Sequence, residues 1–378
     1  MASTLKVCAI SWADDAADPK LLFMHSFIDH IPHIIAPELL AQARVFIDSH
    51  SKFVITAHIS PDGDAIGSVL GMKQYLEAKG KEATVVLNDA PGNNLSFIPG
   101  YRSDVIVFDN QNDGTPSQRD EAIKAIQQSD AMVCLDFNTT TRIGSMKDLW
   151  TSHPAPKLLI DHHLGPETSQ FDICISHPEL AATCEVIYRF ILEMGDDALL
   201  NKQIANSLFC GLMTDTGWFI FNSNRPDFHL VMARLMMENV DRENIIKESH
   251  VVPERKLRLA GYLINQKLHV VREHKAAYMS LSLGESRRYG HQKGDSEGYV
   301  NAPLDIEGVQ VSAFFREEKN FVKVSLRSKG DYPVNLIAEK FFNGGGHRNA
   351  AGGEFLGSLS QAEAIFVKVL PLFDKYLQ

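Results

Sequence analysis

Between about residues 51 and 221, short apolar runs rich in β-forming residues alternate with helical patterns. This alternation is typical of βαβ units, so we predict an α/β domain built on a mostly parallel sheet. The segment from Ile66 to Lys79 repeats its apolar residues at helical spacing and is followed by Gly80, which predicts a crossover helix. The predicted buried strands are Phe53 to Thr56, Thr84 to Leu87, Val105 to Phe108, Met132 to Leu135 and Leu158 to Ile160.

Polar side chains follow several of these strands at the point where each strand ends. They are His58, Asp62 and Asp64 after the first strand, Asp136 after the fourth, and Asp161, His162 and His163 after the fifth. A further carboxylate, Asp215, follows a helical stretch from Ile204 to Met213. Because ligands of open parallel sheets bind beyond the carboxyl ends of the strands, we expect these side chains to converge on one site.

Each of these residues also has an ordinary structural explanation when it is taken alone. Asp62 or Asp64 would serve as the cap of the next helix, and His162 or His163 as a buried histidine with satisfied hydrogen bonds. Together, however, they offer oxygen and imidazole ligands without a thiolate, which suit cations such as Mn²⁺ or Mg²⁺. Crowded carboxylates repel one another unless cations neutralise them, and paired cations about 3.5 to 4 Å apart commonly cleave phosphoesters. The sequence therefore predicts metal-dependent phosphoester hydrolysis.

The pattern changes after about residue 225, where a charged, mostly helical stretch precedes a second set of strands. In that second set Val322, Val324 and Leu326 alternate with polar residues, as in a sheet with one wet face. We predict an N-terminal extension of unknown role at 1–33, a catalytic domain at 34–225, a helical connector at 226–267 and a second domain at 268–378.

Charge and composition restrict the partners. Asp and Glu outnumber Lys and Arg by 47 to 37, which argues against stable binding of long nucleic acids. The segment from Arg316 to Arg348, in contrast, contains seven Lys or Arg and four Asp or Glu, which is a local excess of basic residues. We find no apolar run of about 20 residues, no signal peptide and no Cys-x-x-Cys spacing, so we expect a cytoplasmic protein without membrane attachment. The sequence does not determine the oligomeric state, and a homodimer is compatible with it.

Four segments resemble, in family order, the motifs of the DHH phosphoesterase superfamily: His58 to Ser68, Asp136 to Asn138, Asp161 to His163, and Asp215 to Gly217. Gly344 to His347, followed by Ala350 to Gly353, resembles the DHHA1 substrate-binding domain that accompanies it. The resemblance covers nearly everything from about residue 34 onward. It implies an α/β fold, with a parallel-sheet DHH domain flanked by helices, a smaller mixed-sheet α/β DHHA1 domain, and a cleft between them.

The resemblance also implies roles. The protein would bind two divalent cations, with Mn²⁺ preferred over Mg²⁺ or Co²⁺. One cation would be held by His58, Asp62 and Asp136, and the other by Asp64, Asp136, His162 and Asp215, so that Asp136 is shared. His163 would contact the scissile phosphate or assist the leaving oxygen, and Asp161 would orient His162. The implied substrate-binding residues are Arg316, Arg327, Ser328, Gly344, Gly345, Gly346, His347 and Arg348.

Within this superfamily, the two-domain layout is most similar to the oligoribonuclease (nanoRNase) and adenosine 3',5'-bisphosphate phosphatase group. The expected enzyme hydrolyses short oligoribonucleotides to 5'-mononucleotides and removes the 3'-phosphate of adenosine 3',5'-bisphosphate. Alternatives with the same chemistry are a phosphodiesterase for linear or cyclic dinucleotides, a RecJ-like single-strand exonuclease and an exopolyphosphatase. A pyrophosphatase is disfavoured because its Ser-Arg-Lys-Lys-Gln-like motif is not found. A non-catalytic nucleotide-binding regulator is disfavoured because every candidate metal position holds a competent donor.

Overall fold

The computed structural model describes residues 30–109, 118–292 and 294–377. These residues form two compact units. The first comprises the described residues up to Pro91 together with Ile98–Ile245, and the second comprises Gly92–Phe97 together with the described residues from Ile246 onward. Most of the predicted N-terminal extension, 1–33, lies outside the described residues.

The first unit is built on a six-stranded parallel sheet in the order β3-β2-β1-β4-β5-β6. Its strands are β1 (Lys52–Thr56), β2 (Glu82–Leu87), β3 (Val105–Val107), β4 (Ala131–Leu135), β5 (Lys157–Asp161) and β6 (Ile173–Ser176). The predicted parallel α/β sheet is thus confirmed, and β6 is an additional edge strand. Because β1 and β4 are neighbours at the centre, the residues that follow them come close together at the carboxyl edge.

The helices of the first unit are α1 (Pro37–Ser49), α2 (Gly63–Ala78), α3 (Arg119–Gln128), α4 (Lys147–Ser152), α5 (Thr183–Glu193), α6 (Lys202–Asp215) and α7 (Pro226–Met236). The next helix, α8 (Arg242–His250), begins in the first unit and ends in the second. A Cβ added at Gly67 would lie only 2.5 Å from the carbonyl oxygen of Ser207, and one at Gly63 only 2.3 Å from Oγ1 of Thr214. These glycines therefore allow α2 and α6 to pack closely, which brings the start of α2 beside the end of α6.

The second unit contains a mixed six-stranded sheet in the order β11-β12-β10-β9-β8-β7. Its strands are β7 (His269–Val271), β8 (Ala276–Leu281), β9 (Val311–Glu317), β10 (Val322–Ser328), β11 (Gly345–His347) and β12 (Ala350–Phe355). Only β8 and β9 pair in parallel. As predicted, Val322, Val324 and Leu326 of β10 are buried, and they pack in the core with Phe366.

The helices of the second unit are α9 (Glu254–Tyr262), α10 (Leu283–Arg288), α11 (Val334–Phe341) and α12 (Leu359–Val369). Within the predicted connector, α7 belongs to the first unit, where Phe228 and Val231 are buried, and α9 belongs to the second, where Leu259 packs with Phe314. The exact domain boundaries, which we placed after residues 33, 225 and 267, stay predictions. Among the residues that the structure describes, no helix combines the length and apolar character that a membrane span requires.

Candidate metal centre

The loop between β1 and α2 supplies the first two site residues, His58 and Asp62, and Asp64 is the second residue of α2. Oδ1 of Asp62 caps α2 by accepting hydrogen bonds from the amides of Asp64 and Ala65, each at 3.0 Å. Its other oxygen, Oδ2, lies 3.7 Å from Nε2 of His58. Asp62 thus caps α2, as expected for an Asp at the start of a helix, and its second oxygen still faces His58.

Two contacts with other loops hold this segment in place. The amide of Ile59 donates to the carbonyl of Arg142 at 2.7 Å. The amide of Ser60, a residue in the left-handed region with φ of 52°, donates to the carboxylate of Asp89 at 2.9 Å. The buried Asp89 lies two residues after the end of β2, as His58 lies two residues after the end of β1, and we did not predict it from the sequence.

Asp136 lies at the centre of the cluster. It follows β4 with a φ of 62°, a left-handed conformation that Asp tolerates better than most residues, and it is almost fully buried. Oδ2 of Asp136 is 3.4 Å from Nε2 of His58, whereas Oδ1 is 3.6 Å from Nε2 of His162. The two carboxylate oxygens therefore face different histidines.

Asp64, His162 and Asp215 form the other side of the cluster. Nε2 of His162 lies 3.5 Å from Asp215 and 4.0 Å from Asp64. Asp215 is the last residue of α6, so its place beside Asp64 follows from the close packing of α2 and α6. Asp64 is 1% exposed, and its carboxylate accepts the amides of Thr183 and Cys184 at 2.7 and 3.0 Å.

The partner of Asp161 differs from the expected one. Oδ1 of Asp161 lies 2.7 Å from Nδ1 of His163, while Nδ1 of His162 faces the carbonyl of Leu180 at 3.4 Å. This corrects the expectation that Asp161 orients His162. The physical reason is that Nε2 of His162 points into the carboxylate cluster, which turns the other ring nitrogen towards the carbonyl of Leu180, three residues before α5.

The cluster concentrates negative charge in a buried place. Burial and the neighbouring carboxylates of Asp136 and Asp215 raise the pKa of Asp64 well above its usual value. Burial opposes a charged ring at His58, but the carboxylates of Asp136 and Asp62 outweigh it and raise the pKa of His58 to about 10. The same balance, with Asp215 as the strongest carboxylate neighbour, raises the pKa of His162 to about 9. Such a site needs positive charge, which cations supply.

The ligand atoms are close enough to share cations. One ligand atom each from His58, Asp62 and Asp136 lies within 4.8 Å of the others, and the same holds for Asp64, Asp136 and His162. Asp136 belongs to both groups, and Asp215 adjoins the second through His162. Oxygen and imidazole donors of this kind fit divalent cations. The assignment of ligands to each cation stays a prediction.

In the second unit, the sheet register aligns two of the predicted substrate-binding residues. Arg327 of β10 pairs with Ala350 of β12, which in turn pairs with His347 of β11. Directly paired residues point to the same face of a sheet, so Arg327 and His347 share a face. In the next row, Ser325 pairs with Gly352, and Gly352 pairs with Gly345, so small residues adjoin these two side chains.

The other predicted residues of this unit have partners or backbone roles within it. Arg316 donates to Glu318 at 2.9 Å and to Ser296 at 2.6 Å, and Arg348 pairs with Asp331 at 2.8 Å. The buried Ser328 hydroxyl donates to the carbonyl of Tyr332 at 2.6 Å. Among the glycines, Gly344 leaves no room for a side chain, since a Cβ there would lie 1.9 Å from the carbonyl oxygen of Gly352, and Gly346 has a φ of 137°.

A parallel α/β domain with clustered carboxylates and imidazoles at its carboxyl edge is typical of metal-dependent hydrolases. Comparisons with known proteins identify the class further. Residues 52–212 match the DHH family, N-terminal domain, and residues 274–369 match the DHHA1 domain. The chain belongs to the DHH family of phosphoesterases.

Individual relatives match most of the chain. The bifunctional oligoribonuclease and PAP phosphatase NrnA of Thermus thermophilus is 29% identical over 323 residues, 85% of this chain and 89% of that protein. The Bacillus subtilis protein of the same name is 24% identical, over 87% of this chain and 97% of that protein. The crystal structure of an exopolyphosphatase-related protein from Bacteroides fragilis is 37% identical, with a TM-score of 0.85, over 92% of this chain and 99% of that one.

Proposed function

We propose that the protein hydrolyses short oligoribonucleotides to 5'-mononucleotides and also removes the 3'-phosphate of adenosine 3',5'-bisphosphate. The observation that carries this proposal is the match to relatives named for these two activities, which extends over both domains and 85% of the chain. The clustering of His58, Asp62, Asp64, Asp136, His162 and Asp215 supports the chemistry that such an enzyme requires.

In this proposal His58, Asp62 and Asp136 hold one divalent cation, and Asp64, Asp136, His162 and Asp215 hold the other, with Mn²⁺ preferred. When bound, the cations neutralise phosphate charge and supply the activation of the attacking water. The chain's own part is to fix the ligands: Asp62 is held by the start of α2, and Nδ1 of His58 faces the carbonyl of Ile59 at 2.8 Å. That contact directs the opposite ring nitrogen of His58 towards Asp136.

His163 is proposed to contact the scissile phosphate. Its Nδ1 faces the fully buried Asp161, which fixes the ring orientation and the tautomer that carries its proton on Nδ1. The side chain of His163 is 19% exposed, whereas that of His162 is 6% exposed. Of the two adjacent histidines, His163 is therefore the more accessible to a substrate.

The second domain is proposed to contribute substrate-binding residues. Arg327 and His347 share one face of the sheet, where they would donate to a phosphate. The neighbouring Ser325, Gly352 and Gly345 present almost no side chain, which leaves a flat surface that suits a base or a ribose.

Exposed apolar side chains close in sequence to the proposed site residues favour a substrate with bases. Ile59 follows His58 and is 41% exposed, and Leu164 follows His163 and is 69% exposed. Trp218 lies three residues after Asp215 and is 37% exposed. Nucleobases gain from contact with such surfaces, whereas a polyphosphate chain has no apolar part. This observation supports nucleotides over polyphosphate.

A substrate panel tests the proposal. The purified protein is incubated with Mn²⁺ and, separately, a diribonucleotide, a five-mer, a twenty-mer, a cyclic dinucleotide, adenosine 3',5'-bisphosphate, pyrophosphate and polyphosphate. We expect the highest kcat/KM for the diribonucleotide and five-mer, with measurable turnover of adenosine 3',5'-bisphosphate. Polyphosphate is the second candidate because the similar Bacteroides fragilis protein is described as exopolyphosphatase-related. A higher kcat/KM for polyphosphate than for every nucleotide would contradict the proposal.

We also propose that the protein is cytoplasmic. Cys134, Cys184 and Cys210 are buried with free thiols, and Cys174 is a partly buried free thiol. Unpaired cysteines of this kind are typical of a reducing compartment.

A further inference from the structure

Thr183, the first residue of α5, contacts two of the clustered carboxylates at once. Its hydroxyl donates to Oδ1 of Asp136 at 2.9 Å, and its backbone amide donates to Oδ2 of Asp64 at 2.7 Å. The residue is fully buried. It lies outside every motif identified in the sequence, and the contacts span 47 and 119 positions of the chain.

The chain around Thr183 is itself held in place. The amide of Ala181 donates to the buried carboxylate of Glu185 at 3.0 Å, and Glu185 is paired with Arg189 at 2.9 Å. The carbonyl of Leu180 faces Nδ1 of His162 at 3.4 Å. One short segment, 180–185, therefore touches Asp64, Asp136 and His162, and a buried ion pair fixes its position.

We propose that Thr183 is a positioning residue for the metal centre, a role that rests on the proposed two-cation function. The hydroxyl occupies one acceptor position on Oδ1 of Asp136 and so sets the plane of this carboxylate. With the plane fixed, Oδ2 faces His58 and Oδ1 faces His162, the arrangement that a carboxylate shared by two cations needs. Partners of metal ligands typically contribute 10- to 100-fold to metal affinity or activity, on the order of what Thr183 should contribute.

A purely structural role makes a different prediction. If the hydroxyl were only a buried donor that needs an acceptor, its removal would alter the stability of the metal-free protein and leave its cation affinity unchanged. Metal affinity, measured without substrate, therefore distinguishes the two roles. It also separates this proposal from the proposed function, since it does not depend on which phosphoester the enzyme hydrolyses.

The test compares Thr183→Val, which keeps the shape and removes the hydroxyl, with Thr183→Ser, which keeps the hydroxyl. Thr140→Val is the matched control, because Thr140 is a buried threonine of the same unit whose hydroxyl faces Glu167. Mn²⁺ affinity is measured on the full chain by titration calorimetry, thermal unfolding is followed in EDTA, and kcat and KM are measured on a generic aryl phosphodiester.

We expect Thr183→Val to weaken Mn²⁺ binding about 10- to 100-fold and to lower kcat, while Thr183→Ser and Thr140→Val stay within about threefold of wild type. Wild-type Mn²⁺ affinity in a folded Thr183→Val protein would overturn the proposal. Equal weakening in Thr183→Ser would also overturn it, because the hydroxyl would then not be the group that matters. If Thr183→Val shows no cooperative unfolding in EDTA, Thr183→Ala takes its place in the same comparison.

Discussion

Nδ1 of His163 lies 2.7 Å from Oδ1 of Asp161, a fully buried carboxylate close to Asp136. Of the two adjacent histidines, His163 is the one whose Nδ1 faces a carboxylate. Nδ1 of His162 faces the backbone carbonyl of Leu180, and its Nε2 faces the clustered carboxylates. The two histidines are therefore expected to have different roles, and substitutions should separate them.

Asp161→Asn should lower kcat about 10- to 100-fold, because the amide no longer holds the His163 ring in its orientation through a charged hydrogen bond. The check is a double-mutant cycle on a nucleotide substrate with Asp161→Asn, His163→Ala and the double variant. If Asp161 acts through His163, the double variant is no slower than His163→Ala alone. Full additivity of the two losses would show that Asp161 acts elsewhere.

Arg327→Ala or His347→Ala should reduce hydrolysis of a dinucleotide far more than hydrolysis of a generic aryl phosphodiester. Losing a phosphate contact costs about 1.5 to 3 kcal/mol when the partner is charged, so a loss of about 10- to 100-fold in kcat/KM is expected on the nucleotide. Arg258→Ala, at an exposed arginine of the same unit, is the control and should leave both rates unchanged. Equal losses on both substrates would mean that Arg327 and His347 support the fold.

Rates should fall steeply once the oligonucleotide exceeds about five residues. A long single strand needs an extended positive groove, whereas this chain carries a net charge of -10 and has its basic excess in one short stretch. Further nucleotides would gain few contacts and would meet negative charge. The measurement is kcat/KM for a dinucleotide and a twenty-mer at low salt, and an equal or higher value for the twenty-mer would favour a RecJ-like exonuclease.

Glu285 makes the stability of the second unit depend on pH. It caps its own helix, α10, and accepts a hydrogen bond from Tyr262 and an ion pair from Lys267 at 3.1 Å. Although burial opposes the charge, the contacts with Tyr262, Ser282 and Lys267 lower the pKa of Glu285 from 4.5 to about 2. A lowered pKa in the folded state means that the charged group stabilises the fold above about pH 4.5 and that this stabilisation is lost as the pH falls towards about 2.

Glu285→Gln should therefore be less stable than wild type by about 1 kcal/mol at pH 7, and the difference should shrink on acidification through this range. Urea unfolding at several pH values checks the expectation. Glu254→Gln is the control, because Glu254 is exposed and pairs with Arg258 at the surface. A difference between Glu285→Gln and wild type that is constant with pH would contradict the linkage.

The sequence predicted the sheet of the first unit and the residues at its carboxyl edge because both depend on local patterns. Apolar runs mark β1, β2, β3, β4 and β5, and a polar residue at the end of a buried run is conspicuous. β6 was missed, since Ile173–Ser176 is a short edge strand with alternate residues only partly buried. Asp89 and Thr183 were missed because their contacts join residues 29 to 119 positions apart, which no local pattern records.

The sequence also could not predict the direction in which individual side chains point. The adjacent letters Asp161-His162-His163 do not show which ring faces which carboxylate, and the structure pairs Asp161 with the second histidine. In the second unit, the charge of Arg316 suggested a substrate contact, but only the folded chain shows its pairing with Glu318 and Ser296. Conversely, the alternation in β10 was sufficient to predict which residues face the core.

The most direct test of a shared metal centre is the turnover of Asp136→Ala, measured with Mn²⁺ on a generic aryl phosphodiester. Asp172→Ala is the control, since Asp172 accepts the amide of Lys157 at 2.8 Å at the opposite end of β5. Because Asp136 contacts both halves of the cluster, Asp136→Ala should lower turnover more than about 10³-fold. The turnover of Asp172→Ala should stay near that of wild type. Retention of more than about a tenth of wild-type activity by purified Asp136→Ala would contradict this account, because a tenfold change corresponds to only about 1.4 kcal/mol.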